Sequence, residues 1–290
     1  MRSVTSHSFS HRTQAADGFT LVELVIVIAL TGILATVAAI FIRAPVEGYI
    51  STANRAALVA SAQAALNQMS DDIRNALPNS VRVSGTALEL LHVADGTRYR
   101  DGNAPGAGGA DIRLKFNQAD TDFNVMQPFT TSATGDWLSI YPTTTTTGSG
   151  ASPYDVGMSP AVITPTGTSI TIGAAGNGSQ VSEYHVALSP GYKFLYSSPN
   201  KRIYLVDKAV SYICSGSNLT RYSGYTFGTA QPNPPAGGTN ALEVDDISAC
   251  AITYTAGTPT RRGLVTINLS LTRNGETITL LSQVHVVNSP

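Results

Sequence analysis

A single carboxylate lies inside a long apolar run near the start of this 290-residue chain. Between residues 19 and 42 the only charged side chain is that of Glu23, and most of its neighbours are aliphatic. An ionisable group in such a run is costly to bury, so by default it marks a functional site and needs a partner. In a plainer interpretation, Glu23 lies at a membrane interface in the first helical turn, where the helix dipole favours a negative charge.

The apolar run is long enough to cross a membrane. As a helix, residues 19–42 would reach about 36 Å, against a hydrocarbon thickness of about 30 Å. A cleaved secretory signal would have a shorter apolar core, and an ordinary single-pass anchor would leave Glu23 without a purpose. Arg2 and Arg12 precede the run and Arg43 ends it, so the positive-inside rule gives only a small preference for a cytoplasmic amino terminus.

A resemblance to a known family is carried by the string Gly18-Phe19-Thr20-Leu21-Val22-Glu23-Leu24, which leads directly into the apolar run. It resembles the cleavage and assembly motif of type IV pilins and type II secretion pseudopilins. The resemblance implies that a membrane-embedded prepilin peptidase removes residues 1–18 by cutting between Gly18 and Phe19, and then N-methylates Phe19. Because Gly18 has no side chain, the peptidase would be able to approach the scissile bond closely.

The same resemblance makes Glu23, the fifth residue of the mature chain, an assembly residue. It would neutralise the new cationic amine of a neighbouring subunit once the helices leave the lipid and bundle into a filament. An unpaired buried charge costs about 3–5 kcal/mol, so the pairing would penalise a subunit in the wrong register. The implied partners are the prepilin peptidase, other major and minor pilins, and the inner-membrane assembly platform. The chain would span the bacterial inner membrane once before assembly and lie in a pilus at the cell surface afterwards.

Beyond the apolar run, the pattern predicts more helix and then strands, which is an α+β fold. The expected segments are a leader (1–18), a transmembrane and filament-core helix (19–45), an amphipathic helix (46–77) and a β-rich domain (78–290). Pro45 is expected to kink or interrupt the helix, and Pro78 to end it. The amphipathic helix has an apolar stripe at three- to four-residue spacing: Leu58, Ala62, Leu66, Met69, Ile73 and Leu77.

Alternation of apolar and polar residues predicts mainly antiparallel strands after residue 80. They are 80–84, 87–93, 111–116, 137–141, 169–173, 181–187, 192–197, 201–206, 209–214, 248–254, 263–272 and 276–286. The last two form the clearest hairpin, because Asn274-Gly275 is typical of a type I′ turn and sets apolar residues opposite each other. Low-complexity stretches at 101–110, 143–153 and 228–240 are expected to form outer loops.

Cys214 and Cys250, the two cysteines of the chain, lie in or beside predicted strands. In an oxidising periplasm they are expected to form one disulfide. The alternative is a pair of free buried thiols. A metal site on these residues is not expected, since no histidine or cysteine lies at ligand spacing.

The sequence contains no recognised motif for catalysis or for a cofactor. His92, His185 and His285 are scattered over the predicted strands, and nucleophile-elbow, zinc-helix, phosphate-loop and dinucleotide patterns are missing. Asp120, Asp122 and Asn124 place oxygen ligands at alternate positions, but the glycine and closing glutamate of a calcium loop are missing. Only 13% of the residues are charged and the formal net charge is −1, which argues against nucleic-acid binding. We therefore expect a non-enzymatic protein with no metal and no cofactor.

Two further segments are similar to a narrower group, the MshO-type minor pilins of the mannose-sensitive haemagglutinin pilus. They are residues 71–83, with the sequence DDIRNALPNSVRV, and residues 210–214, with the sequence VSYIC. Without its leader the chain would also be longer than most major pilins. The resemblance implies a minor subunit that helps to prime pilus assembly at the tip. The alternatives are a J-type minor pseudopilin of a type II secretion system and a pilus-tip adhesin that binds through its Thr-, Gly- and Pro-rich loops.

Overall fold

The computed structural model describes residues 18–102, 112–129, 136–173, 183–257 and 261–286. Within these ranges one long helix, α1 (Leu21–Arg74), precedes twelve β-strands, which confirms the α+β class. The chain divides into two units, one ending at Ala53 and the next beginning at Asn54, so the division falls within α1.

The strands pair almost entirely in antiparallel fashion. In chain order they are β1 (Arg82–Ser84), β2 (Ala87–Arg98), β3 (Asp120–Val125), β4 (Trp137–Ser139), β5 (Ser169–Gly173), β6 (Tyr184–Tyr192), β7 (Arg202–Ser215), β8 (Asn218–Ser223), β9 (Thr239–Val244), β10 (Ile247–Thr255), β11 (Gly263–Arg273) and β12 (Glu276–Val286). The first sheet has the order β1-β2-β7-β8-β9, with β4 paired separately to β7. The second sheet has the order β10-β11-β12, and the third has the order β3-β6-β5.

From Asn54 onward, α1 packs on the β-domain through the apolar stripe that the sequence predicts. The helical members of the stripe are at most 2% exposed: Leu58, Ala62, Leu66, Met69 and Ile73. They share one core cluster with residues of the first two sheets, including Val210 of β7 and Leu269 of β11. Full burial of an aliphatic side chain contributes about 1.5–3 kcal/mol, so this stripe is a main source of stability for the domain.

The helix differs from the prediction at two positions. It is continuous through Pro45, so of the two expected effects of this proline, a kink or an interruption, the interruption does not occur: a proline removes one backbone donor, and regular turns on both sides keep the segment in one element. It also ends at Arg74 and not at Leu77. Ala76 forms an isolated bridge with His92, and the Leu77 N–H donates to the carbonyl of Leu91 at 2.7 Å, so sheet pairing replaces the last predicted turn.

The largest strand error concerns β7, which is one long strand where the sequence predicts two. The register between β2 and β7 shifts at Asp207, which forms a bulge. Its carboxylate accepts from His92 Nδ1 at 2.6 Å and from Lys208 Nζ at 2.8 Å. This polar residue, which interrupts the apolar alternation of the sequence, is therefore accommodated as a bulge and does not end the strand. The predictions of a strand at 192–197 and of one at 111–116, in its described part, are wrong. Conversely, β3, β8 and β9 are strands that the sequence does not predict.

Two of the predicted outer loops are described, and they differ. Residues 143–153 lead into a buried turn, where the Asp155 carboxylate accepts the N–H groups of Gly148 and Gly150 at 2.9 and 2.8 Å. The prediction of an outer loop is therefore wrong for the end of this stretch. Residues 228–240 are mostly exposed, although the Arg82 guanidinium holds the carbonyls of residues 228–230 at 2.9 to 3.1 Å. Most of the third loop, 101–110, lies outside the described residues.

Two tertiary links join elements that are far apart in the chain. A disulfide connects Cys214 at the end of β7 to Cys250 in β10, across a sequence separation of 36 residues. At the end of α1 the Asp72 carboxylate, 6% exposed, accepts from the Tyr212 hydroxyl at 2.6 Å and from Arg221 Nε at 2.8 Å. Burial, followed by the hydrogen bond to Asp72, raises the pKa of Tyr212, so this hydroxyl keeps its proton and donates.

We predict that Asp72→Ala destabilises the domain by about 3 kcal/mol, because it leaves the half-buried Arg221 and the Tyr212 hydroxyl without the carboxylate that both bind. The free energy of unfolding would be measured on the full chain in non-ionic detergent, by guanidinium titration and the fluorescence of Trp137, the single tryptophan. Asp71→Ala is the matched control, since that carboxylate is 69% exposed and, among the described residues, pairs only with Arg74, so it should change stability by less than about 0.5 kcal/mol. Equal effects of the two variants would contradict this prediction.

We also predict that the double variant Cys214→Ser, Cys250→Ser loses roughly 3–4 kcal/mol of stability, because a cross-link over 36 residues restricts the unfolded chain. The same titration measures this loss. Dithiothreitol should reproduce it in the unmodified chain and have no effect on the double variant. A reductant effect in both proteins would show that it does not act through this disulfide.

Candidate processing and assembly segment

The helix that carries Glu23 begins with a side-chain cap. The Thr20 hydroxyl accepts the N–H of Glu23 at 3.2 Å, and the Thr20 carbonyl accepts the N–H of Leu24 at 3.1 Å. Thr20 is therefore the N-cap and Leu21 the first helical residue, which places Glu23 at the third helical position. A threonine followed three residues later by glutamate is the capping-box pattern, which marks the start of this helix in the sequence itself.

The Gly18–Phe19 bond lies just outside the helix. Neither residue is in regular secondary structure, and Phe19 is 78% exposed. Among the described residues, no other group lies within 4 Å of a Cβ built on Gly18, so the described part of the chain leaves open space beside this bond.

Glu23 is exposed in the first helical turn, where the helix dipole favours its negative charge. Within the described residues its carboxylate makes no ion pair. The first positive side chain along α1 is Arg43, which pairs with Glu47 one turn later at 2.7 Å. Glu23 is thus available for a cation that belongs to another molecule.

The segment after Glu23 has the properties of a membrane-spanning helix. The most apolar stretch of α1 is long enough to cross a membrane, and none of it is buried within the protein. The hydroxyls of Thr31 and Thr36 donate to carbonyls one turn earlier, at 2.7 and 2.8 Å, so the helix itself satisfies them. A helix with apolar sides and internally satisfied polar groups is suited to lipid or to a bundle of similar helices.

The other candidates from the sequence are held in structural contacts. His92 binds Asp207, as described above, His185 Nδ1 lies 3.2 Å from the side-chain oxygen of Asn124, and His285 is exposed on β12. The calcium-like triplet lies in strand β3 and not in a loop. Its first member, Asp120, is 2% exposed and accepts the backbone N–H of Lys115 at 2.9 Å. Across the described ranges, no three His, Cys, Asp or Glu side chains are grouped as metal ligands would be.

Comparison with known proteins gives one family match. Residues 14–39 match the family described as Prokaryotic N-terminal methylation motif, of which residues 14–17 lie outside the described ranges. The match includes both sides of the Gly18–Phe19 bond, the Thr20 cap, Glu23 and most of the apolar run. No curated protein and no solved structure matches the chain.

The family match and the exposed apolar helix together support the type IV pilin and pseudopilin class. Proteins of this class have structural roles and not catalytic ones. The motif implies processing by a prepilin peptidase and assembly with other pilins, and the apolar helix suggests membrane anchoring.

Proposed function

We propose that this protein is a minor type IV pilin of the MshO type, which prepilin peptidase cleaves and methylates and which helps to prime assembly near the pilus tip. The observation that carries this proposal is the Gly-Phe-Thr-Leu-Val-Glu string at the start of an apolar helix that the protein leaves uncovered. The MshO-type assignment rests on the similarity of residues 71–83 and 210–214 to that group.

Cleavage between Gly18 and Phe19 changes the electrostatics of the helix start. Hydrolysis leaves a carboxylate on Gly18 and a cationic amine on Phe19, directly before the positive end of the helix dipole. Methylation of the amine keeps its charge. The cationic amine of Phe19 and the positive end of the helix dipole therefore lie together at the start of an apolar helix. Away from water, this positive charge is stable only if a carboxylate lies close by.

Glu23 of an adjacent subunit would supply that carboxylate, from the first turn of its own helix. Since Glu23 has no ion-pair partner among the described residues, the amine of an adjacent subunit is the natural partner once the helices bundle. A subunit displaced along the bundle would leave both charges buried and unpaired, at a cost of about 3–5 kcal/mol. Glu23 therefore acts mainly on register, and apolar contact along the helix supplies most of the attraction.

The β-domain remains attached to this helix and would face the periplasm. Its disulfide fits an oxidising compartment. Residues 210–214 end at Cys214, so the segment that suggests the MshO type also carries one half of this cross-link. The domain would give the subunit its particular neighbours, while the helix gives it the interaction common to all pilins.

Mass spectrometry of the mature chain tests the processing step directly. We expect loss of residues 1–18 and a methyl group on Phe19. Gly18→Val should remain uncleaved, because a branched side chain would block the approach of the peptidase to the bond. Gly32→Val, a change in the same helix with open space around it, should be cleaved normally. A functional protein that retains Met1 would refute the proposal.

For Glu23 we predict that Glu23→Ala and Glu23→Gln are cleaved normally but enter filaments roughly tenfold less or worse, since each leaves a neighbour's amine unpaired. The measurement is the ratio of pilus-associated to membrane-associated subunit on quantitative immunoblots. Glu47→Gln is the matched control, because that exposed glutamate lies on the same helix beyond the apolar run. Normal incorporation of the two Glu23 variants would show that Glu23 does not set the register.

The machine to which the subunit belongs is tested by deleting the gene. Loss or reduction of surface pili with normal protein secretion is the expected result. Loss of type II secretion with normal pili would contradict the pilus assignment and would place the chain among the J-type pseudopilins.

A further inference from the structure

Strand β12 lies at an open edge of the second sheet. Its 11 residues, Glu276–Val286, pair with β11 in an unbroken register. Within the described ranges, no backbone group of β12 bonds to any other element of the protein. A row of unpaired backbone N–H and C=O groups can pair with a strand from another chain, so this edge is a candidate docking surface.

The other edge strands of the described sheets are short or irregular. Strands β1, β5 and β9 have 3, 5 and 6 residues, and β3 and β10 each contain a register shift. Short edges, bulges, prolines and lysines are the usual devices that prevent edge-to-edge pairing. β12 contains none of them, and its one residue of the Asp, Glu, Lys or Arg type, Glu276, is paired with Arg55 at 2.9 Å.

The turn before β12 determines which of its backbone groups face the open edge. The two residues that flank a two-residue hairpin turn, here Arg273 and Glu276, form a hydrogen-bonded pair, and every second pair after them does the same. The residues between these pairs direct their N–H and C=O groups away from β11. They are Thr277, Thr279, Leu281, Gln283 and His285.

The side chains on the two faces of β12 indicate what kind of strand would fit. All five residues that face the open edge have exposed side chains, and Leu281, in the middle of the strand, is 65% exposed. On the opposite face Leu280 packs against the core but is only partly buried. An added strand would cover Leu280 if it placed apolar side chains on that face. The edge therefore favours an uncharged segment in which apolar and small polar residues alternate.

A second copy of this chain does not fit the edge. Antiparallel pairing of β12 with its own copy requires a two-fold axis perpendicular to the sheet. This axis would reverse the direction of α1, which packs on one face of the sheet from Leu58 to Ile73. Two copies that are anchored in one membrane by α1 enter it in the same direction, so they cannot pair in this way.

The edge does lie close to the helix through which subunits of this class assemble. Arg55, which pairs with Glu276 at the start of β12, belongs to α1. In the proposed filament, a subunit that bundles with this helix would therefore have its own domain near β12. A different subunit of the same assembly is thus the occupant that the position of the edge favours.

We propose that the open edge of β12 binds an extended, uncharged segment of a different pilin-class subunit by antiparallel strand addition. Backbone hydrogen bonds would supply the attraction, and the alternation of apolar and polar side chains would select the partner. This inference rests on the proposed function, because it takes the partner from the same assembly.

Fluorescence anisotropy of a labelled peptide, with the full chain in non-ionic detergent, tests the edge. The peptide has the uncharged sequence of residues 264–272, LVTINLSLT, which within the chain pairs with the opposite edge of β12. With its apolar residues on the core face, the peptide would direct the N–H groups of Thr266, Asn268 and Ser270 at β12. N-methylation at Asn268 and Ser270 should weaken binding roughly tenfold or abolish it, whereas N-methylation at Ile267 and Leu269 should leave it intact.

Variants of the chain test the same contact from the other side. Thr279→Pro removes an N–H that points to the open edge, where proline is tolerated, so binding should fall about tenfold without a change of fold. Thr279→Ala keeps the N–H and should bind normally. If Thr279→Pro does not fold, as judged by circular dichroism, Leu281→Lys adds a charge to the edge and should weaken binding several-fold. Leu242→Lys is its matched control, since Leu242 is 57% exposed on another edge strand, β9.

Photo-crosslinking in cells, from Leu281→benzoylphenylalanine, identifies the partner. We expect a product with a different subunit that carries a prepilin motif, and we expect this product to disappear when Thr279→Pro is added. A cross-link to a second copy of this chain, a cross-link only to proteins without the motif, or no product that depends on Thr279 would overturn the inference.

The peptide measurements can also overturn it, through equal binding of the two methylated peptides or unchanged affinity in a folded Thr279→Pro or Leu281→Lys chain. These results would refute the docking edge and leave the proposed function intact. Retention of residues 1–18 by a functional protein would refute the proposed function whatever the peptides do, so the two failures are distinguishable.

Discussion

Apolar surface on α1 has to leave water, and the two units of the chain satisfy this requirement differently. From Leu58 to Ile73 the apolar stripe is covered by the first two sheets of the same chain. Before Ala53 no such cover exists: the most apolar window of the helix is wholly unburied by the protein. That surface can be removed from water by lipid or by other apolar helices.

Three ion pairs with buried carboxylates join different segments of the chain. Asp72 with Arg221, Glu89 with Arg82, and Glu183 with Arg100 each place a carboxylate that is at most 9% exposed against a guanidinium. Burial raises the pKa of Glu89 even though Arg82 acts in the opposite direction, which shows how strongly this site is desolvated. Removing one partner from such a pair costs about 3–5 kcal/mol, so the pairs penalise alternative strand arrangements.

Local patterns identify α1 and the β11–β12 hairpin well because both depend on near neighbours in sequence. The stripe from Leu58 to Ile73 repeats at helical spacing, and Asn274-Gly275 dictates a tight turn, so the observed register opposes Leu271 to Ile278 as the alternation requires. The sequence does not predict strands β8 and β9, because they are short and largely polar or exposed. They form strands because β8 pairs with β7 and β9 pairs with β8. The sequence does not predict the buried turn around Asp155 either, because its Thr-, Ser- and Gly-rich composition is typical of an exposed loop. The turn can be buried because the Asp155 carboxylate accepts hydrogen bonds from its backbone N–H groups.

The amino-acid sequence by itself determined the processing motif, the apolar helix, the lone Glu23 and the α+β class, since each is expressed within a short stretch of residues. Tertiary structure decided where the helix ends, the continuity of β7 through the Asp207 bulge and the pairing of Asp72 with Arg221. It also placed Arg98 opposite Arg202, residues separated by about a third of the chain. Contacts of this kind depend on which strands pair and in which register, and that is a property of the whole free-energy balance and not of any local sequence pattern.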